Sequence, residues 1–104
     1  MEKETLTDFK ASLSEPLAPA HLSVYGKALW WAGKGNWDMA HELIQNLDDQ
    51  SAARIHAYLH RLEGDFSNAQ YWYSKANSKM PSVTLYQEWE YLVNNFILNF
   101  KKLS

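Results

Sequence analysis

The residues best suited to chemistry in this sequence are three histidines and a glutamate. His56 and His60 are four positions apart, and Glu63 follows three positions later. On an α-helix this spacing places the three side chains on one face, with neighbouring Cβ atoms about 5–6 Å apart. Zinc binds imidazole nitrogen at roughly 2.0–2.1 Å, and a pair of histidines needs at least one further protein ligand, which Glu63 or His41 would supply. The sequence therefore contains a candidate metal site at His41, His56, His60 and Glu63.

A structural role for the same histidines is the alternative. Buried imidazoles commonly hydrogen-bond to backbone or to a carboxylate, which satisfies their ring nitrogens without a metal. Ala57 occupies the position at which helical zinc metalloproteases place a catalytic glutamate, so the motif is not that of a protease. Metal binding and core packing both stay open at this point, and no reaction is assigned.

Helices are expected to position these residues. Proline occurs three times and glycine four times, and apolar residues between them recur every three or four positions. This periodicity is typical of amphipathic helices and leaves no strand pattern of useful length. We expect an all-α fold with helices at about 5–13, 20–34, 37–47, 52–63, 66–80 and 82–102.

One short pattern occurs twice. Gly35 and Gly64 are 29 residues apart, and the residues that follow them coincide in type. The coincident pairs are Asn36 and Asp65, Trp37 and Phe66, Ala40 and Ala69, Ile44 and Tyr73, and Leu47 and Ala76. Each unit is predicted to be a helix, a turn ended by glycine, and a second helix whose aromatic residue and alanine face inward.

The repeated unit resembles the tetratricopeptide repeat. In that family a Gly-Asp-aromatic turn precedes an alanine, an aromatic residue, a second alanine and a proline. The matching residues here are Gly64, Asp65, Phe66, Ala69, Tyr73, Ala76 and Pro81. The period of 29 residues is shorter than the family's period of about 34, and the first helix of each unit departs from the family's Trp, Leu-Gly and Tyr. The segment Ile55–Tyr73 is also similar to a group of small uncharacterised proteins that share a His-Ala-x-x-His-Arg, Glu-Gly-Asp, Asn-Ala and Tyr-Trp-Tyr block, a likeness that implies no activity.

The resemblance implies one domain over residues 1–104, built from two tetratricopeptide-like helical hairpins. The repeat units would span about 22–48 and 51–80, and a C-terminal helix about 82–102. Because about three repeats are usually needed to bury a core, the N- and C-terminal helices would cover the two ends.

The resemblance also implies a binding surface, because the first helix of each pair lines the concave face in this family. The residues expected on that face are Arg54, Tyr58, Arg61, Leu22, Tyr25 and Leu29. An arginine there can hold a peptide carboxylate through two parallel hydrogen bonds. The alternative is a solvated helix face on which Arg61 pairs with Asp65.

These patterns favour a module that binds a protein or peptide over an enzyme, and no cofactor is expected for it. The alternative function is a small metal-binding protein or metal-dependent enzyme that uses the histidines and Glu63. A homodimer formed through the last helix would bury Trp89 and Phe96 against a second copy.

The amino-acid composition limits the classes of molecule that this protein is expected to bind. The 104 residues include ten basic and twelve acidic residues, which gives a formal charge of −2 and a pI near 6.0. Nucleic-acid binding normally requires an excess or a stripe of basic residues. This sequence has neither, so we do not expect it to bind nucleic acid. Cysteine is absent, which excludes disulfides. No stretch approaches the roughly 20 apolar residues that cross a bilayer, and Met1–Lys10 lacks the apolar core of a secretory signal, so a cytoplasmic protein that binds no membrane is expected.

Overall fold

Residues 5–98 are described by a computed structural model, and they form an all-helical structure. Six α-helices follow one another in this range, and the last continues as a single π-helical turn at Asn94–Leu98. The α-helices are α1 (Leu6–Ser12), α2 (Val24–Gly33), α3 (Trp37–Ile44), α4 (Gln50–Leu62), α5 (Phe66–Lys75) and α6 (Leu85–Val93). The predicted continuation of the last helix to residue 102 lies outside the described residues. Within residues 5–98 no helix has both the length and the apolar content that a bilayer crossing requires.

Each α-helix begins at a side chain that caps it. In every case the capping oxygen accepts a hydrogen bond from the backbone N–H three residues later. The six capping residues are Thr5, Ser23, Asn36, Asp49, Asp65 and Thr84. Such caps satisfy backbone donors that have no partner inside the helix, and each contributes about 1 kcal/mol. The Ser23 and Asp49 caps also correct two predicted starts, since α2 begins at Val24 rather than residue 20, and α4 begins at Gln50 rather than residue 52.

The repeated glycines end two helices in the same way. Gly35 and Gly64 have φ angles of 83° and 87°, a backbone conformation that glycine adopts without steric cost. The next N–H in each case donates back to the preceding helix, from Asn36 to Trp31 O and from Asp65 to His60 O, both at 2.9 Å. Asn36 and Asp65 then cap the following helices, so one glycine and one polar residue both end a helix and start the next.

Helices adjacent in sequence pack in pairs. α2 packs against α3 and α4 packs against α5, while α6 lies against α2 and α4. Ala40 and Ala69, the alanines of the repeated pattern, are both fully buried, as predicted. Their small side chains allow close approach of the paired helices.

The aromatic residues of the repeat differ in their surroundings. Trp37 is half-buried, and its indole N–H donates to Leu59 O of α4 at 2.6 Å. Phe66, the equivalent residue of α5, is 57 % exposed, which corrects the prediction that it faces inward. The difference follows from position, because α4 covers Trp37, whereas α6 packs mainly on α2 and α4 and leaves the start of α5 open.

Candidate metal centre

Three of the four histidines meet where α3 crosses α4. His41 projects from α3, and His56 and His60 project from one face of α4 because they are four residues apart. The rings of His56 and His60 stack, with centroids 4.8 Å apart and planes at 21°. The His41 ring meets the His56 ring edge-on at a centroid distance of 4.6 Å. We call these three residues the histidine cluster.

The nitrogens of the cluster are close enough to share one ion. Nε2 of His41 lies 2.9 Å from Nε2 of His56, and one ring nitrogen from each of the three residues lies within 4.8 Å of the others. Imidazole nitrogens that bind zinc tetrahedrally at 2.0–2.1 Å are about 3.3 Å apart. Small rotations of the three rings would therefore bring their nitrogens to the separation that a bound metal requires.

Glu63 orients His60 rather than completing the cluster. The Glu63 Oε2 atom lies 2.8 Å from His60 Nδ1, and the carboxylate is partly exposed at the end of α4. An ionised carboxylate only accepts hydrogen bonds, so Nδ1 is the donor, and in the neutral form of the ring the lone pair lies on Nε2. Carboxylates commonly hold metal-binding histidines in this way. Glu63, predicted as a possible ligand, thus lies in the position of a partner that fixes the ring.

Two tryptophans form walls on either side of the cluster. Trp37 stacks on His41, with centroids 4.6 Å apart and planes at 12°. Trp72 of α5 stacks on His56, with centroids 3.9 Å apart and planes at 16°. Neither indole was predicted to belong to the site. For Trp72 the spacing within its own helix gives no signal, because the contact arises from the packing of α5 on α4.

Burial favours the neutral, metal-binding form of two histidines of the cluster, His41 and His56. His56 and His60 are 6 % and 7 % exposed, and His41 is half-buried. Burial, reinforced by His41 and His60, lowers the pKa of His56 to about 4. Burial and the neighbouring His60 also lower the pKa of His41, against the opposing effect of Glu63 and Asp38. Neutral imidazole is the form that binds metals, so these two residues need lose no proton at pH 7.

A surface cleft lies beside the cluster. It has a volume of about 430 Å³ and is lined by Gly35, Trp37, Leu62 and Glu63. Trp37 and Glu63 each contact a histidine of the cluster, so these two residues both line the cleft and border the cluster.

The arginines predicted to bind a peptide carboxylate bind a carboxylate of the same chain. Arg54 Nη1 donates to Glu88 Oε2 and Arg61 Nη1 donates to Glu88 Oε1, both at 2.6 Å. The Tyr73 hydroxyl donates to Glu88 Oε2 at 2.6 Å, and Glu88 itself is fully buried. Arg61 therefore pairs with α6 and not with Asp65, the partner considered from sequence.

The other residues predicted to line a peptide groove mostly belong to the core. Leu22, Leu29 and Tyr58 are buried, because α6 lies against α2 and α4 on the side where a peptide was expected. Tyr25 is half-buried, and its hydroxyl donates to Asp49. In this structure the predicted face is thus covered by α6 and is not an open groove. Trp89, expected at a dimer interface, is also buried within the chain, where its indole N–H donates to Leu29 O at 2.8 Å.

Comparisons with protein-family models, with curated proteins and with solved structures found no match to this chain. The functional assignment therefore rests on the chemistry of the site.

Proposed function

We propose that this protein binds a divalent transition metal, zinc in particular, through His41, His56 and His60. One observation carries the proposal: a ring nitrogen from each of the three histidines lies within 4.8 Å of the other two. Three imidazoles contributed by two packed helices match the ligand number of zinc sites that keep a fourth position for water or another small molecule.

The side chains that contact the three histidines support the same assignment. Glu63 holds the proton of His60 on Nδ1, which directs Nε2 away from the carboxylate. The two stacked indoles, Trp37 and Trp72, limit rotation of His41 and His56. A site whose ligands are already oriented loses less conformational entropy on binding.

The choice of metal follows from the donor atoms. An all-imidazole set suits zinc, copper and nickel, whereas magnesium and calcium require oxygen ligands. Among these, zinc accepts a three-histidine arrangement without a preferred d-electron geometry. The proposed occupant is therefore zinc, and calcium and magnesium are expected not to compete.

A purely structural cluster is the competing interpretation. A hydrogen bond between His41 and His56 and another between His60 and Glu63 would suffice to hold the rings in place. The two interpretations differ in one measurable respect, because only the first gives stoichiometric binding of metal.

Calorimetric titration of metal-free, untagged protein with zinc tests the proposal. We expect one zinc per chain, and loss of binding in His56→Gln/His60→Gln. His21→Gln is the matched control, since it removes the fourth histidine, which lies before α2 and outside the cluster. Circular dichroism establishes that each variant is folded. A folded wild-type protein that binds no zinc, or binds it equally well without His56 and His60, would refute the assignment.

We also propose that the two helix pairs form a tetratricopeptide-like arrangement. It is supported by the identical helix ends at Gly35 and Gly64 and by the burial of Ala40 and Ala69. Peptide binding through Arg54, Tyr58 and Arg61 stays a prediction, and it would require α6 to leave the face that it covers.

A further inference from the structure

A second cavity lies between α1, α2, α4 and α6, separate from the histidine cluster. Its volume is about 220 Å³. The residues that line it are Lys10, Leu13, Gly33, Tyr58, Tyr86 and Trp89. None of them belongs to the histidine cluster. We call it the Tyr58 cavity.

Tyr58 supplies a hydrogen-bond donor without a partner. The residue is 4 % exposed, and its hydroxyl has no hydrogen-bond partner among residues 5–98. Other polar groups near it are paired, since Glu88 accepts from Arg54, Arg61 and Tyr73. Burial raises the pKa of Tyr58, so the hydroxyl stays protonated and remains a donor at neutral pH. No buried side-chain nitrogen or oxygen within residues 5–98 lacks a hydrogen-bond partner, so the Tyr58 hydroxyl opens onto the cavity, where an acceptor on a ligand can replace water.

Gly33 and two aromatic rings shape the apolar part of the cavity. A Cβ atom at Gly33 would lie 2.8 Å from Trp89 Cζ2 and 3.2 Å from the Leu13 methyl groups, so glycine lets these two side chains pack closely on α2 at the wall of the cavity. Tyr86 and Trp89 stack with centroids 5.9 Å apart and planes at 23°. An apolar cavity of about 150 Å³ is large enough for benzene, so this one fits a single aromatic ring with a short substituent.

Lys10 places an ammonium group beside the cavity. Its ammonium contacts Glu90 and lies 4.9 Å from the centroid of the Tyr86 ring. An ammonium carries three donors, so Lys10 can hold Glu90 and an anionic ligand together. The polar side of the cavity therefore offers one hydroxyl donor and one ammonium group that is already paired with the Glu90 carboxylate.

We propose that the Tyr58 cavity binds a small aromatic carboxylate, with its ring against Leu13 and Trp89 and its carboxylate accepting a hydrogen bond from Tyr58. Lys10 adds electrostatic attraction for the same group. The site is independent of the metal centre, so either proposal can fail without the other.

Nuclear magnetic resonance titration of the ¹⁵N-labelled protein tests this inference with three probes of equal size: phenylacetate, phenylacetamide and 2-phenylethylamine. We expect saturable shifts of the Gly33 amide and the Trp89 indole N–H, with affinity falling in that order. Tyr58→Phe keeps the shape of the side chain and breaks no hydrogen bond within residues 5–98, so it should fold normally and bind phenylacetate about tenfold more weakly. Lys10→Met should lower the affinity for phenylacetate more than the affinity for phenylacetamide.

Tyr71→Phe is the matched control, because it removes the hydroxyl of an exposed tyrosine on α5, away from the cavity. It should bind phenylacetate like the wild type. The inference is overturned if no probe gives saturable shifts at the cavity, if the amide binds more tightly than the acid, or if folded Tyr58→Phe binds phenylacetate as well as the wild type does.

Discussion

His41 Nε2 and His56 Nε2 lie 2.9 Å apart, so a direct contact between two imidazoles joins α3 to α4. Both side chains are flanked by stacked indoles, and both have lowered pKa values because they are buried. Two neutral imidazoles can share only one proton at this contact. A metal ion would replace that single hydrogen bond with bonds to both nitrogens.

Zinc should stabilise the folded protein. A ligand that binds only the native state at a hundred times its dissociation constant adds about 2.7 kcal/mol to the free energy of unfolding. For a domain of this size the melting temperature should rise by roughly 10 °C or more. Differential scanning calorimetry with and without zinc measures the shift. His41→Gln should abolish it and His21→Gln should retain it, and a shift of equal size in all three proteins would place the metal elsewhere.

Glu63 should tune zinc affinity without being a ligand. Glu63→Ala removes the acceptor of His60 Nδ1, and loss of such an outer partner typically lowers metal affinity about 10- to 100-fold. Glu63→Gln keeps an acceptor oxygen, so its zinc affinity should fall less than that of Glu63→Ala. Glu42→Gln, an exposed change on α3, serves as the control for the loss of one negative charge. Competition with a chromophoric chelator gives the affinities, and equal values for Glu63→Ala and the control would contradict the assigned role.

Acid should destabilise the metal-free protein through His56. Its pKa is about 4 in the folded state, against 6.5 for an unperturbed histidine, so between these values the unfolded chain binds more protons. The free energy of unfolding therefore falls as pH decreases from about 6.5 towards 4, and the contribution of His56 is fully present only above that window. Urea denaturation of the wild type and His56→Gln across this range provides the test. The variant should show a weaker dependence on pH, and identical slopes would mean that His56 does not titrate as described.

The Glu88 network should contribute strongly to stability. Glu88→Gln would leave Arg54 and Arg61 with a neutral partner in a buried position, which we expect to cost about 3 kcal/mol or more. Glu90→Gln makes the same chemical change two residues later, at a more exposed pair with Lys10, and should have a much smaller effect. Chemical denaturation compares the two. Similar losses in both variants would show that burial does not distinguish these carboxylates.

The helices were predictable because the signals that define them lie close together in the sequence. The spacing of apolar residues, the polar caps at Asn36 and Asp65 and the glycines at 35 and 64 all act within a few residues, so the sequence indicates them directly. The same holds for His56 and His60, whose common face follows from helical geometry. His41 was also named, although only the packing of α3 on α4 brings it to the cluster.

Contacts between distant helices were not predictable. Glu88 interrupts an apolar stripe on α6, and its burial depends on three partners that α4 and α5 supply. That interaction places α6 over the face predicted for a peptide, and no pattern within α6 reveals it. Phe66 is the opposite case: the repeat predicts that its side chain faces inward, but no helix within residues 5–98 covers it.

X-ray absorption spectroscopy of the zinc-bound protein tests the central claim most directly, because it reports the atoms bonded to the metal. We expect three imidazole nitrogens and one oxygen ligand such as water at about 2.0–2.1 Å, with the histidine signal lost in the His56→Gln/His60→Gln variant. A shell made only of oxygen atoms, or one unchanged in that variant, would contradict the assignment of the histidine cluster as a metal centre.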